Sequence, residues 1–361
     1  MAPDLAGRLR EFAATYPHLP LYSRICSEAA ADPEVISLLE AAQPGQERPV
    51  LLLAALHDLV LRTPGVAAAR WYTAVGGSSP GPSDDPWPDV RATLLEHASA
   101  LRAVIATRST QTNEVNRAVY VAALLTAAAR DVGPMPVALV ELGCSAGLLL
   151  GLDRFRISVG STVVGDPGSP VQCSGSLRPG STALVAPSLP PIVERVGLDL
   201  APVSLSDEDE VRWLEACLWP DQPERLARFR AAVALLRPDP PLVVAGDMVD
   251  DLSSVAHSAR AVATAVCGAS DVHLVVMSNW ALTYVRRDRR PLIASALADL
   301  AADGRPVSWI TAEPPGAVPD VEPPPLEGET VLALRRWRAG SEVPPSVLGV
   351  AHPHAPWLHL L

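Results

Sequence analysis

The stretch that most constrains the fold runs from Val137 to Leu150, VALVELGCSAGLLL. An apolar run enters Gly143, a second glycine follows at Gly147, and leucines continue beyond it, the pattern of a strand, a tight turn and a helix. Glycines permit positive φ and close backbone approach, and the amides that open a helix face whatever lies in front of it. A ligand-binding turn and a plain packing turn are both open on this stretch alone. Glu141 narrows the choice of ligand. The dinucleotide fingerprint has a glycine where Ser145 stands, and an acid at the strand end disfavours a pyrophosphate. A cationic or hydroxyl-bearing ligand suits it better; S-adenosylmethionine carries both an ammonium and a ribose.

On the amino-terminal side the pattern is helical: Leu9 to Tyr16, Glu34 to Ala41, Pro49 to Leu61, Val90 to Ala106 and Val115 to Ala129. Residues 1–130 are expected to form an all-helical cap domain and 131–361 an α/β domain. In Thr107 to Arg117 only Val115 is apolar. That run reads as a helix start, with Thr112 or Asn113 as cap and Glu114 in the first turn, or as a loop in which Thr112, Asn113 and Arg117 meet a substrate.

Past Leu150 the helix closes at Asp153 to Arg156, and turn-rich sequence follows, including Gly165 to Pro170. Strands are then expected at Ile192 to Leu198, Leu242 to Ala245, Val272 to Met277 and Val307 to Thr311. Helices are expected at Glu208 to Leu218, Pro223 to Leu236, Ser253 to Val266 and Arg290 to Ala302. This alternation predicts a doubly wound, mostly parallel sheet. Thr330 to Arg336 adds a strand, and Trp357 to Leu361 is expected to pair antiparallel at the sheet edge.

Composition removes several chemistries. None of the 361 residues is lysine, which excludes lysine-anchored Schiff bases and the P-loop lysine. A formal net charge of −11 disfavours nucleic acid, and Arg286, Arg287, Arg289 and Arg290 read as a solvated face. No apolar stretch is long enough to span a membrane, and nothing at the start reads as a secretory signal. Five scattered cysteines without C-x-x-C match reduced thiols, so a cytoplasmic location is expected. His352 and His354 have H-x-H spacing and His359 follows, but no third ligand is evident and no metal is expected.

In an open α/β sheet the ligand lies outside the carboxyl ends of the strands. Glu141, Asp199, Asp247 and Asn279 fall at or near four such ends. Gly143, Ser145 and Gly147 would shape the turn, Asp199 would accept from ribose hydroxyls, and Asp247 would meet an adenine amino group. Asn279 and Trp280 lie where a substrate would approach. Each acid taken singly also fits an N-cap of the next helix.

Gly197 to Pro202 resembles the second motif of class I S-adenosylmethionine-dependent methyltransferases, and Glu141 to Gly147 their first. Thr107 to Arg117, Glu141 to Leu150, Gly165 to Val171, and Trp219 to Gln222 with Arg225 resemble more closely a bacterial family known as domain of unknown function number two-three-three-two. The likeness covers nearly the whole chain and implies a methyltransferase-like fold. Two positions depart from the family pattern: Met277 replaces a histidine before the serine of the fourth strand, and Ala355 replaces a glycine after His-Pro-His.

The function expected is methyl transfer from S-adenosylmethionine to a small molecule. In it Asn279 orients the acceptor, Trp280 shields the sulfonium by a cation–π contact, and Glu114 or His57 takes a proton. Another displacement on the same fold, such as an intramolecular ring closure in specialised metabolism, would use Arg108, Arg117 or Arg154 on the leaving group. A serine hydrolase would use Ser145 in G-x-S-x-G with Asp247 or Asp271 and His352 or His354. A non-catalytic partner that keeps only the fold is the remaining alternative. Partner number and oligomeric state are not set by the sequence.

Overall fold

The computed structural model describes residues 4–130, 132–182, 188–268, 271–338 and 340–361. The chain divides into two compact units, Met1–Asn113 with Ser206–Arg230, and Glu114–Leu205 with Ala231–Leu361.

The first unit is helical: α1 (Leu5–Thr15), α2 (Pro20–Ala29), α3 (Pro33–Leu39), α4 (Pro49–Arg62), α5 (Trp87–Glu96) and α6 (Ala98–Thr107). Prolines open α2, α3 and α4, where the missing N–H costs nothing. Asp4 and Asp32 cap α1 and α3 through their carboxylates. The expected helix from Val90 to Ala106 is broken at His97. Helix α4 is buried from Leu51 to Val60, which carries His57 and Asp58 into the core. There His57 Nδ1 lies 3.2 and 3.1 Å from the carbonyls of Ala216 and Leu218, and Asp58 accepts from Arg212 Nε at 2.9 Å. These bonds explain why residues 206–230, which in sequence lie between two sheet strands, group with the helices.

The second unit is built on α7 (Ala118–Arg130) and an eleven-stranded, mostly parallel sheet. Its strands are β1 (Val137–Leu142), β2 (Arg156–Val159), β3 (Thr162–Gly165), β4 (Gln172–Leu177), β5 (Ile192–Asp199), β6 (Leu242–Ala245), β7 (His273–Asn279), β8 (Val307–Glu313), β9 (Thr330–Arg338), β10 (Ser341–Ala351) and β11 (Trp357–Leu360). Later helices are α8 (Glu208–Ala216, in the helical unit), α9 (Pro223–Leu236), α10 (Leu252–Cys267) and α11 (Arg290–Leu300). Residues 114–130, expected with the helical region, belong to the sheet unit.

The sheet order is β3-β2-β4-β11-β10-β9-β8-β7-β1-β5-β6. β8, β7, β1, β5 and β6 run parallel. The chain builds outward from β1 on one side through β5 and β6, then crosses to β7 and β8 on the other. In an open α/β sheet a reversal of this kind is where a ligand is expected, outside the carboxyl ends of β1 and β7. On β1, Ala138, Val140 and Leu142 pack in one core with Leu252 and Ala256 of α10 and Ile293 and Leu297 of α11. Because side chains alternate along a strand, Glu141 faces the opposite side.

Three expectations are corrected. After Gly147 the chain forms a 3-10 helix, Leu148–Arg154, with Gly151 outside helical φ/ψ, so no long helix points its amides at the turn. The connection from β1 to β5 is not a helical crossover; it runs through β2, β3 and β4 at the far edge of the sheet. Strand β11 lies inside the sheet, antiparallel to β10 and parallel to β4, and the edges are β3 and β6. Among the described residues no helix is long and apolar enough to cross a membrane.

Candidate functional site at the sheet reversal

The turn after β1 is tight because its glycines are needed. Gly143 has φ +70° and a Cβ there would stand 2.7 Å from Ala281 Cβ; Gly147 has φ +68°. Ser145 also adopts a left-handed φ, +52°. Its N–H donates to Asp199 Oδ2 at 2.8 Å and its carbonyl accepts from Val203 N at 3.0 Å. Asp199 Oδ1 accepts from Ala201 N at 2.9 Å. Asp199 thus ties the turn after β5 to the turn after β1, and the Ser145 amide is met by a carboxylate rather than left for an anion. Leu200 beside it is 69% exposed, an apolar surface next to an acid.

Asp247 builds its own turn. Oδ1 accepts from Val249 N and Asp250 N, and Oδ2 lies 3.4 Å from Arg289 Nη1. Burial pushes its carboxyl up, but these amides and Arg289 outweigh it and hold it below the usual range.

The interior side differs. Under α7 lies a buried polar cluster: Glu114, Arg117, Tyr120, Glu141, Asn279 and Glu313. Glu114 caps a 3-10 turn, Val115–Arg117, accepting from Asn116 N at 2.9 Å; neither Thr112 nor Asn113 is the cap. Arg117 donates from Nε to Pro353 O at 3.1 Å and from Nη1 to Asn279 O at 3.3 Å, and its guanidinium stands 6.0 Å from the Trp280 ring. Glu313 ends β8 and accepts from Ala281 N and Leu282 N, which holds the chain as it leaves β7. Trp280, at φ +59°, donates from Nε1 to Thr330 Oγ1 at 3.0 Å.

Glu141 is only 4% exposed. The Asn279 side chain faces its carboxyl, and the Tyr120 hydroxyl has no hydrogen-bond partner among the described residues. Burial pushes the Glu141 carboxyl up to about 8, aided by the negative charge of Asp199; Asn279 and Arg117 favour the charged form but do not prevail. Glu313, also raised first by burial, rests at about 7 because backbone amides offset part of the cost. Met277 registers directly with Glu141 across β1 and β7.

A turn near the end of the sequence completes the cluster. Asn116 Nδ2 donates to the carbonyls of His354 and Ala355 at 3.1 Å, and Arg117 holds Pro353. His352 Nδ1 accepts from His354 N at 3.0 Å. His354 Nδ1 lies 3.7 Å from Glu114 Oε2. Ala355 has φ +57°, a left-handed conformation that glycine adopts more readily.

Other expected residues lie elsewhere. His57 is fully buried in the helical unit and, through burial, held down at about 4, with Nδ1 on two carbonyls; it is a core histidine, not a proton acceptor for a substrate. Thr112 is exposed, and it and Asn113 fall in the helical unit. Arg108, in that unit, pairs with Glu210. Arg154 donates to Leu235 O and lines a cleft with Arg195, Asp239 and Leu242, at the amino ends of β5 and β6, opposite to the carboxyl ends. Among the described residues no group of three or more metal-type ligands occurs. Two cluster members escaped the sequence reading. Glu313 obeys the same strand-end rule as Glu141, whereas Tyr120 lies in an apolar helix and gives no signal.

A family model described as an uncharacterized protein conserved in bacteria, DUF2332, matches residues 6–359. The chain belongs to the DUF2332 family. No curated protein matches it.

Proposed function

We propose that this DUF2332 protein binds S-adenosylmethionine, or a similar nucleoside, and transfers its methyl group to a small molecule, on a sheet of the class I methyltransferase kind. The observation that carries the reading is the buried pair Glu141 and Asn279, an acid and an amide that face each other at the ends of β1 and β7 beside Arg117. An amino-acid end supplies an ammonium to the first and a carboxylate to the second, with Arg117 adding positive charge. Gly143, Ser145 and Gly147 bring the backbone turn to that end of the sheet, and Asp199 with exposed Leu200 suits a ribose and a base. Asp247 keeps its turn and lies beside that region. Asn279 and Trp280 flank the acceptor side, with the Trp280 face shared with Arg117. Methyl transfer is an in-line displacement, so orientation supplies much of the rate, on the order of 7 to 11 kcal/mol in good geometry.

Calorimetry with S-adenosylhomocysteine in buffers of different ionisation heat tests this. At neutral pH Glu141 holds a proton, which an arriving ammonium displaces. Binding is therefore expected to release a proton and to strengthen as pH rises towards about 8, and Glu141→Gln is expected to abolish the release. No heat and no thermal shift at millimolar ligand overturns the proposal.

One observation favours a second reading. Ser145 has a left-handed φ on a turn that follows a strand, as a nucleophile elbow does. The short 3-10 helix after it fits an elbow poorly. Hydrolysis of a generic ester that disappears in Ser145→Ala would favour the hydrolase.

A further inference from the structure

Helix α7 opens Ala118-Val119-Tyr120-Val121 and is buried from Ala118 to Thr126. At such a position a phenylalanine fills the space without taking an oxygen out of water. The Tyr120 side chain is nonetheless fully buried, and its hydroxyl has no hydrogen-bond partner among the described residues. An unpaired buried hydroxyl costs stability, so its retention points to a partner from outside the fold.

The surroundings of the hydroxyl define that partner. Tyr120 follows Arg117 by three residues, which sets both side chains on one face of the chain as it enters α7. Arg117, Glu313, Glu114 and Glu141 all act electrostatically on the hydroxyl, which therefore lies inside the cluster that contains Glu141 and Asn279. Burial pushes its ionisation far above the usual phenol range, so at neutral pH it is a neutral O–H donor.

Donors are what this cluster lacks. Its side chains are richer in acceptors, Glu114, Glu141 and Glu313, than in donors, Arg117 and Asn279. Arg117 already gives Nε to Pro353 O and Nη1 to Asn279 O. A carboxylate arriving beside the Asn279 amide needs a further donor, and a desolvated phenol supplies a short, charge-assisted one.

We propose that the Tyr120 hydroxyl selects a free α-carboxylate on the ligand of this site, donating to it while Glu141 meets the α-ammonium. This rests on the reading of the site as one for a nucleoside with an amino-acid end, and it narrows the ligand to molecules in which that end is intact.

Tyr120→Phe removes the oxygen and keeps the ring. Full-length parent and variant are compared by thermal unfolding without ligand. Calorimetry and thermal shift follow with three probes: S-adenosylhomocysteine, methylthioadenosine, which lacks the amino-acid end, and L-methionine, which lacks the nucleoside. Without ligand the variant is expected to melt no lower than the parent, because no described group loses a partner. S-adenosylhomocysteine is expected to bind the variant roughly tenfold more weakly, and methylthioadenosine to bind both alike. A lower ligand-free melting temperature in the variant makes the hydroxyl a structural one, held by an internal water, and overturns the proposal. S-adenosylhomocysteine that binds both proteins equally overturns it too, as does an equal weakening of methylthioadenosine. A parent that ignores S-adenosylhomocysteine but is protected by millimolar L-methionine, with the protection lost in Tyr120→Phe, overturns the nucleoside reading and leaves the carboxylate contact standing. Protection by none of the three overturns both.

Discussion

Two carboxylates on neighbouring strands, Glu141 of β1 and Asp199 of β5, are treated in opposite ways. Asp199 receives a backbone N–H on each oxygen and joins two turns. Glu141 points under α7, beside Asn279 and with no backbone amide on it, and burial keeps the proton on. Asp199 and Asp247 therefore serve first as parts of the scaffold, and Glu141 serves it least. A buried strand-end acid that no backbone amide holds is the one to associate with a ligand, because burying a polar group is costly unless something else repays it.

The contrast is sharpest in its pH dependence. Unfolded, the Glu141 carboxyl ionises near 4.5; folded, near 8. Between those values the folded chain binds the extra proton, so stability falls as pH rises from about 4.5 to 8 and levels off above. At about 1.4 kcal/mol per pKa unit, Glu141→Gln is expected to match the parent near pH 4.5 and to exceed it by roughly 4 kcal/mol at pH 8. Urea unfolding at the two pH values measures this, and a variant no more stable at pH 8 would erase the distinction from Asp199. A second test takes the other carboxylate. Asp199→Ala removes two charge-assisted bonds from turn amides and is expected to cost about 2 kcal/mol at neutral pH. A cost below about 0.5 kcal/mol would mean that Asp199 does not hold the turns. The smallest effect is expected at the third corner of the cluster. Ala355→Gly relieves a left-handed φ and should raise stability by about 1 kcal/mol without altering the pH slope.

The sheet core was legible because its signals are local. Apolar runs at Leu242 and Val307 and the helix starting at Pro223 lie where period and punctuation put them. The strands β2, β3 and β4 were not, since Arg156 to Leu177 mixes short apolar pairs with turn residues and gains strand character only through pairing. The helical limit at 130 differs from the compact units because membership of 206–230 depends on His57 and Asp58 finding partners some 150 residues away. At the site, Glu141, Asp199 and Asn279 were visible as strand ends, but which acid is buried and which is held by turn amides depends on tertiary neighbours such as the Ser145 amide. His57 and Glu114 looked equivalent as proton acceptors until one was found in a helical core and the other behind His354.

The excursion from β1 to the far sheet edge also bears on how the protein is made. β4 meets the rest of the sheet through β11, with Trp357 beside Ser176 and Leu358 beside Leu177. During synthesis β2, β3 and β4 emerge early, yet the strand that joins them to the sheet is made almost two hundred residues later. Until then one side of β4 is an unpaired edge. Shortening the sequence within β11 should strand that three-stranded piece from the sheet.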